Sequence, residues 1–149
     1  MKRFRFELEK VLELREYRER ETEIELGKAV GILTQIEHNI AALTGERARA
    51  VEKRLASSRT TTADVLAFDR YILRLDNTKA ALLDEAAKAE RKVEEAREVY
   101  IEASRDRKIL DNMKERRQKE YRKRMFAEET KILDDLAGGV KARKLAIGE

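Results

Sequence analysis

The chain holds few residues able to do chemistry, and their spacing argues against an active site. Its one histidine, His38, stands between Ile36 and Ile40, with no cysteine and no second histidine to complete a set of metal ligands. Glu94, Glu95, Glu98 and Glu102 bring four carboxylates close in sequence, but on a helix such a run is a solvated face rather than an acid pair. No glycine-rich phosphate loop occurs. The remaining cluster is basic: Lys114 to Arg124 carries seven basic side chains and two acidic ones. Such a run can neutralise phosphates or dock on an acidic protein surface. The i,i+4 spacing of Glu115 to Lys119 and of Glu120 to Arg124 also fits an ordinary charged helix surface. No catalytic residue, metal, cofactor or small-molecule substrate is expected.

The elements that carry these residues declare themselves by period. From Phe68, steps of four and three reach Ile72, Leu75, Lys79, Leu82, Ala86, Ala89, Val93, Ala96, Tyr100, Ala103, Arg107, Leu110, Lys114, Arg117 and Tyr121, and three-quarters of these positions are apolar. A mean spacing of three and a half residues keeps a narrow stripe on one side of a helix, to be buried against another helix. A second ladder runs Leu8, Leu12, Arg15, Glu19, Thr22, Leu26, Ala29, Leu33, Ile36, Ile40, Leu43, Arg47, Ala50. It is weakest from Arg15 to Thr22, where a looser contact is expected.

Composition agrees. Charged residues make up 43% of the 149, aromatic residues 5%, and proline, cysteine and tryptophan are absent. So much charge leaves apolar surface for a seam rather than an enclosed core, and nothing interrupts long helices. With 34 basic and 30 acidic side chains the net charge is +4, so the protein is not polycationic as a whole. No apolar run approaches the length of a membrane span, and the first residues have no signal-peptide core, so a soluble cytoplasmic protein is expected.

Ala56-Ser-Ser-Arg-Thr-Thr-Thr is the one stretch where small hydroxyl residues displace the pattern, and the turn belongs there. Thr61 followed by Asp64 fits a capping box, and Gly138-Gly139 reads as a helix stop. The expectation is an all-α single domain, two long helices in an antiparallel coiled-coil hairpin. Helix one covers about 4–56, the turn about 57–61, helix two about 62–137, and a frayed tail 138–149. A turn centred on Arg59 makes partner numbers sum to roughly 118 at equal rise. Leu43 then faces Leu75, Ile36 faces Leu82, Ala29 faces Ala89 and Leu8 faces Leu110. In that register helix two outruns its partner after about residue 115 and overhangs as a single helix.

The two ends are more specific. Phe4-Arg-Phe-Glu-Leu-Glu-Lys-Val-Leu-Glu-Leu-Arg15 resembles the amino-terminal signature of the FliJ family of flagellar type III export proteins. Met113 to Tyr121, followed by Glu128 to Asp135, resembles that family's basic segment and closing acidic pair. The resemblance implies a cytoplasmic stalk, similar to the gamma subunit of rotary ATP synthases and peripheral to the inner membrane through the export apparatus. Its implied partners are the hexameric FliI-like export ATPase, an FlhA-like export gate and export chaperones. Carried over by position, Phe4, Phe6, Leu8 and Leu12 of helix one and Arg116, Arg117, Tyr121, Arg124, Met125 and Asp135 of helix two would meet the ATPase. Leu8 and Leu12 also lie on the seam, whereas Phe4 and Phe6 stand where helix one has barely begun. Tyr71, Ile72 and Leu75 would meet the gate, with Ile72 and Leu75 again on the seam. The rival readings are an injectisome stalk, a general coiled-coil adaptor, a self-associating rod and a nucleic-acid-binding helix.

Overall fold

A computed structural model describes residues 3–148. Among them are two helices, α1 (Glu9–Ala56) and α2 (Thr62–Ala146), and no strand. They run antiparallel as a coiled-coil hairpin, and the carboxyl-terminal part of α2 overhangs. Packing divides the chain into two units. One is Arg18–Ala103, and the other is formed by the described residues of Met1–Tyr17 and Ser104–Glu149. The division falls within the stretch where Arg15, Glu19 and Thr22 replace apolar ladder residues.

The unit Arg18–Ala103 holds the turn. Thr61 caps α2: its hydroxyl donates to Asp64 Oδ2 at 2.7 Å, its amide donates to the same oxygen at 3.0 Å, and the Asp64 amide donates back to Thr61 Oγ1 at 3.2 Å. This is the reciprocal box that satisfies free amides at a helix start. The Thr61 amide and hydroxyl together hold the Asp64 carboxyl below its ordinary pKa, with Arg54 adding a smaller push in the same direction. Along the seam α2 contributes Leu75, Ala86, Ala89, Val93 and Ala103, all buried. Leu26, Ala29, Leu33, Ile36, Ile40 and Leu43 of α1 are half-buried. The Arg54 guanidinium lies over the Phe68 ring at 5.3 Å, a cation–π contact near the turn.

The register differs from the expected one. Arg47 Nε meets Asp76 Oδ1 at 2.9 Å, a pair whose numbers sum to 123, and Arg54 with Phe68 gives 122. One helix is therefore shifted by four to five residues from the sum of 118. At a sum of 122 every ladder position of α1 from Thr22 to Ala50 levels with a ladder position of α2, whereas at 118 only every second one does, with Leu33 falling opposite Glu85 and Ile40 opposite Thr78. Side-chain size points the same way. The expected register sets Ile36 against Leu82 and Ala29 against Ala89, large on large and small on small. At a sum of 122, Ile36 levels with Ala86, Leu33 with Ala89 and Ala29 with Val93, large against small at these three levels.

The second unit joins the amino-terminal segment to the far part of α2. Helix one begins at Glu9 rather than at residue 4. Residues 3–6 have no helical hydrogen bonding and residues 7–8 form a turn, with the Glu9 amide donating to the Phe6 carbonyl at 3.2 Å. Exposure alternates with period two: Arg3, Arg5 and Glu7 are exposed, Phe4 is half-buried and Phe6 is 7% exposed. Extended chain puts alternate side chains on one side, and that lets both phenylalanines turn inward. Leu12 is buried at 3%. Ion pairs flank the seam: Arg15 Nη1 to Asp106 Oδ2 at 2.7 Å, Lys114 Nζ to Glu9 Oε1 at 2.7 Å, and Arg117 Nη1 to Glu7 Oε2 at 3.3 Å. Arg107 reaches Asp111 at 3.3 Å and Glu16 at 3.8 Å.

Pairing continues past residue 115, as far as Tyr121, whose ring lies 5.6 Å from that of Phe4. The cause is the register shift together with the non-helical segment, which covers more of α2 per residue than a helix does. Beyond the half-buried Met125, every residue from Phe126 to Ile147 is exposed. The helix also runs through Gly138 and Gly139 to Ala146, where a stop and a frayed tail were expected. A glycine ends a helix when it turns left-handed. Among the described residues the only glycine with positive φ is Gly148, at 58°, and there α2 stops.

Candidate partner-docking site

Within the unit formed by the two chain ends, the Phe4 and Tyr121 rings meet at an interplanar angle of 50°. Tilted packing suits the ring quadrupoles. The pair borders a concavity of about 340 Å³ lined also by Arg3, Arg5, Arg117, Arg124 and Glu120. The extended segment supplies Arg3 and Arg5 because its outward-facing alternates are arginines. Helix α2 supplies the others, since Arg117, Tyr121 and Arg124 lie on adjacent turns. Four guanidinium groups and one carboxylate line the concavity, and with Arg117 already held by Glu7 at 3.3 Å the surface is still net cationic over an aromatic base. Arginine forks match carboxylates two hydrogen bonds at a time and keep their charge at any physiological pH.

The residues assigned to ATPase contact therefore divide. Phe4, Arg117, Tyr121 and Arg124 come together around the concavity. Phe6 and Leu12 are buried inside the hairpin, and Leu8 is half-buried; their side chains pack rather than present themselves. Arg116 and Asp135 are exposed and Met125 is half-buried. Arg3 and Arg5 were not singled out from the sequence. Their signal is the alternation Arg3-Phe4-Arg5-Phe6, which reads as extended chain with one cationic edge.

Of the residues assigned to the gate, Leu75 is buried, Ile72 is half-buried, and Tyr71 is 37% exposed. Tyr71 borders a second concavity of about 350 Å³ near the turn, lined by Lys53, Arg54, Arg59 and Phe68 among others. Farther along α2, Lys119 donates to Glu115 at 2.7 Å and holds that carboxyl below its usual pKa. Glu94, Glu95, Glu98, Glu102 and His38 are exposed. No group of three or more His, Cys, Asp or Glu side chains able to hold a metal occurs among the described residues, and none of their helices is long and apolar enough to cross a membrane.

A two-helix hairpin with a cationic, aromatic concavity in the unit of its chain ends defines a coiled-coil protein. The family model for the flagellar FliJ protein matches residues 4–145, and the chain belongs to the FliJ family. That family is structural and chaperone-like, without enzymatic activity, and is associated with the flagellar export apparatus. Searches of curated proteins and of solved structures each returned no match.

Proposed function

We propose that the protein is a cytoplasmic stalk of flagellar type III export, peripheral to the inner membrane through the apparatus it serves. Its chain-end unit binds the hexameric FliI-like ATPase, favours assembly of the ring and raises its activity. The observation that carries this is the concavity of four arginines around Phe4 and Tyr121, in the same unit as the unpartnered stretch of α2 from Phe126 to Ile147. A ligand shifts a conformational equilibrium only by binding one state better than another. A rod held within an asymmetric ring meets that condition, because it contacts successive subunits differently. Hydrolysis belongs to the ring.

Tyr71, with Ile72 and Leu75 behind it, is proposed to face an FlhA-like gate, and export chaperones would bind along the remaining exposed helix surfaces. The test is the ATPase rate and hexamer fraction of the cognate export ATPase with intact protein, with Arg5→Glu/Arg124→Glu, and with a chain ending at Arg124. Stimulation by the intact protein, lost in both variants, is expected. Full stimulation by the charge-reversed protein would remove the concavity from the mechanism, and no stimulation by the intact protein would sink the stalk reading.

A further inference from the structure

Beyond Met125 the hairpin seam gives way to a new apolar stripe. Phe126, Leu133, Val140 and Ile147 recur every seven residues with Leu136 between them, and they are 72%, 65%, 57%, 84% and 62% exposed. A heptad stripe of large side chains is a helix-pairing seam. Every residue from Phe126 to Ile147 is exposed, whereas tertiary packing supplies most helical stability in proteins, and Gly138 and Gly139 weaken this stretch further without serving any close contact, since nothing lies within 4 Å of a Cβ at either position.

Charge indicates the occupant. Residues 126–136 carry Glu128, Glu129, Asp134 and Asp135 against Lys131, whereas residues 137–148 carry Lys141, Arg143 and Lys144 and no acid. Two copies of this segment laid parallel would set like charge beside like. Laid antiparallel, each acidic half meets a basic half.

We propose that the overhanging part of α2 pairs antiparallel with the same segment of a second copy of this chain, the two-fold axis passing near Leu136 and Ala137. Phe126 then levels with Ile147 of the second copy, Leu133 with Val140, and Glu129 with Lys144. The isologous contact closes on itself, so it yields a dimer and not a filament. One consequence rests on the ATPase reading above. The dimer covers the overhang, and it is the form that does not stimulate the ring.

The experiment is sedimentation equilibrium of the full chain over a concentration series. The expected mass rises to twice the 17.4 kDa of one chain. Leu133→Asp/Val140→Asp should be monomeric with the hairpin's helical circular dichroism largely kept. Glu129→Lys and Lys144→Glu should each weaken the dimer, and the two together should restore it. A monomer at every concentration overturns the proposal, as does a dimer indifferent to Leu133→Asp/Val140→Asp or a double reversal that fails to restore pairing. The ATPase assay separates the two ideas. A dimer without stimulation by any form removes the stalk reading alone, and a strict monomer that stimulates removes the self-pairing alone.

Discussion

Lys114 Nζ lies 2.7 Å from Glu9 Oε1, across 105 residues of sequence. Their numbers sum to 123, as do those of Arg107 and Glu16. The pair stands at the first residue of α1 and so marks where helical pairing gives way to the extended segment. Both side chains are more than a third exposed, so its part is alignment more than stability. A double-mutant cycle with Glu9→Gln and Lys114→Met should give a coupling energy of about 1 kcal/mol or less, diminishing with added salt.

The buried pair Phe6 and Leu12 should matter far more than the ion pairs around them. Phe6→Ala and Leu12→Ala are each expected to cost about 2–5 kcal/mol in urea unfolding. Phe4→Ala, at a half-buried position, should cost less. An effect of Phe6→Ala confined to ATPase binding, with stability unchanged, would contradict its burial.

Alanine on the α2 side of the seam makes room for Leu33 and Ile36. Ala89→Leu should therefore overpack the seam and destabilise it by roughly 1–3 kcal/mol. Exchange of sizes between the helices, Leu33→Ala with Ala89→Leu, should recover part of that loss. Under the register that sets Ala29 opposite Ala89 no such recovery is expected, so thermal melts of the three variants decide the alignment.

The capping box predicts a pH dependence with a definite sign. Asp64 titrates below its ordinary value in the folded protein because Thr61 donates to the ionised carboxylate. Its contribution is therefore fully present above the unfolded pKa of about 3.9 and is lost as pH falls through the depressed folded value. NMR titration should show the Asp64 carboxyl ionising at lower pH than it does in Thr61→Ala. Identical titration in the two proteins would show that the Thr61 hydroxyl does not hold the carboxylate in solution, since the residue-61 amide donor is kept in both.

Much of this was legible in the sequence because a coiled coil writes its contacts as a period. Of the α2 ladder from Phe68 to Tyr121, only Arg117 is exposed, and the turn and the Thr61 cap lie where the hydroxyl cluster placed them. What was not legible needed a second kind of information. The register needed the two ladders set against each other, because a sum of 118 levels Ile36 with Leu82 but Leu33 with Glu85, and only a sum near 122 levels both with ladder positions. The helix start needed the switch from period 3.6 to period two at Arg3 to Glu7, a signal only five residues long. The course of α2 through Gly138 depended on backbone dihedrals that composition does not specify. For the site, a basic run gave Arg117 and Arg124, but Arg3 and Arg5 join them only because the amino-terminal segment is extended.

The sequence separation of these contacts bears on how the protein folds. Arg47 and Asp76 are 29 residues apart, whereas Arg15 and Asp106 are 91 apart, and Arg117 and Glu7 are 110 apart. Closing the longer loops directly costs about 1 kcal/mol more entropy than closing the shorter one, so contacts near the turn nucleate and the chain ends zip together last. Read backwards, the same order makes the chain-end unit the first to open in the native state. Amide exchange should therefore be faster from Leu12 to Arg15 than from Ile36 to Leu43. On that order the arginines around Phe4 and Tyr121 are expected on the least protected part of the hairpin, where a docking partner can supply ordering that the chain's own connectivity supplies last.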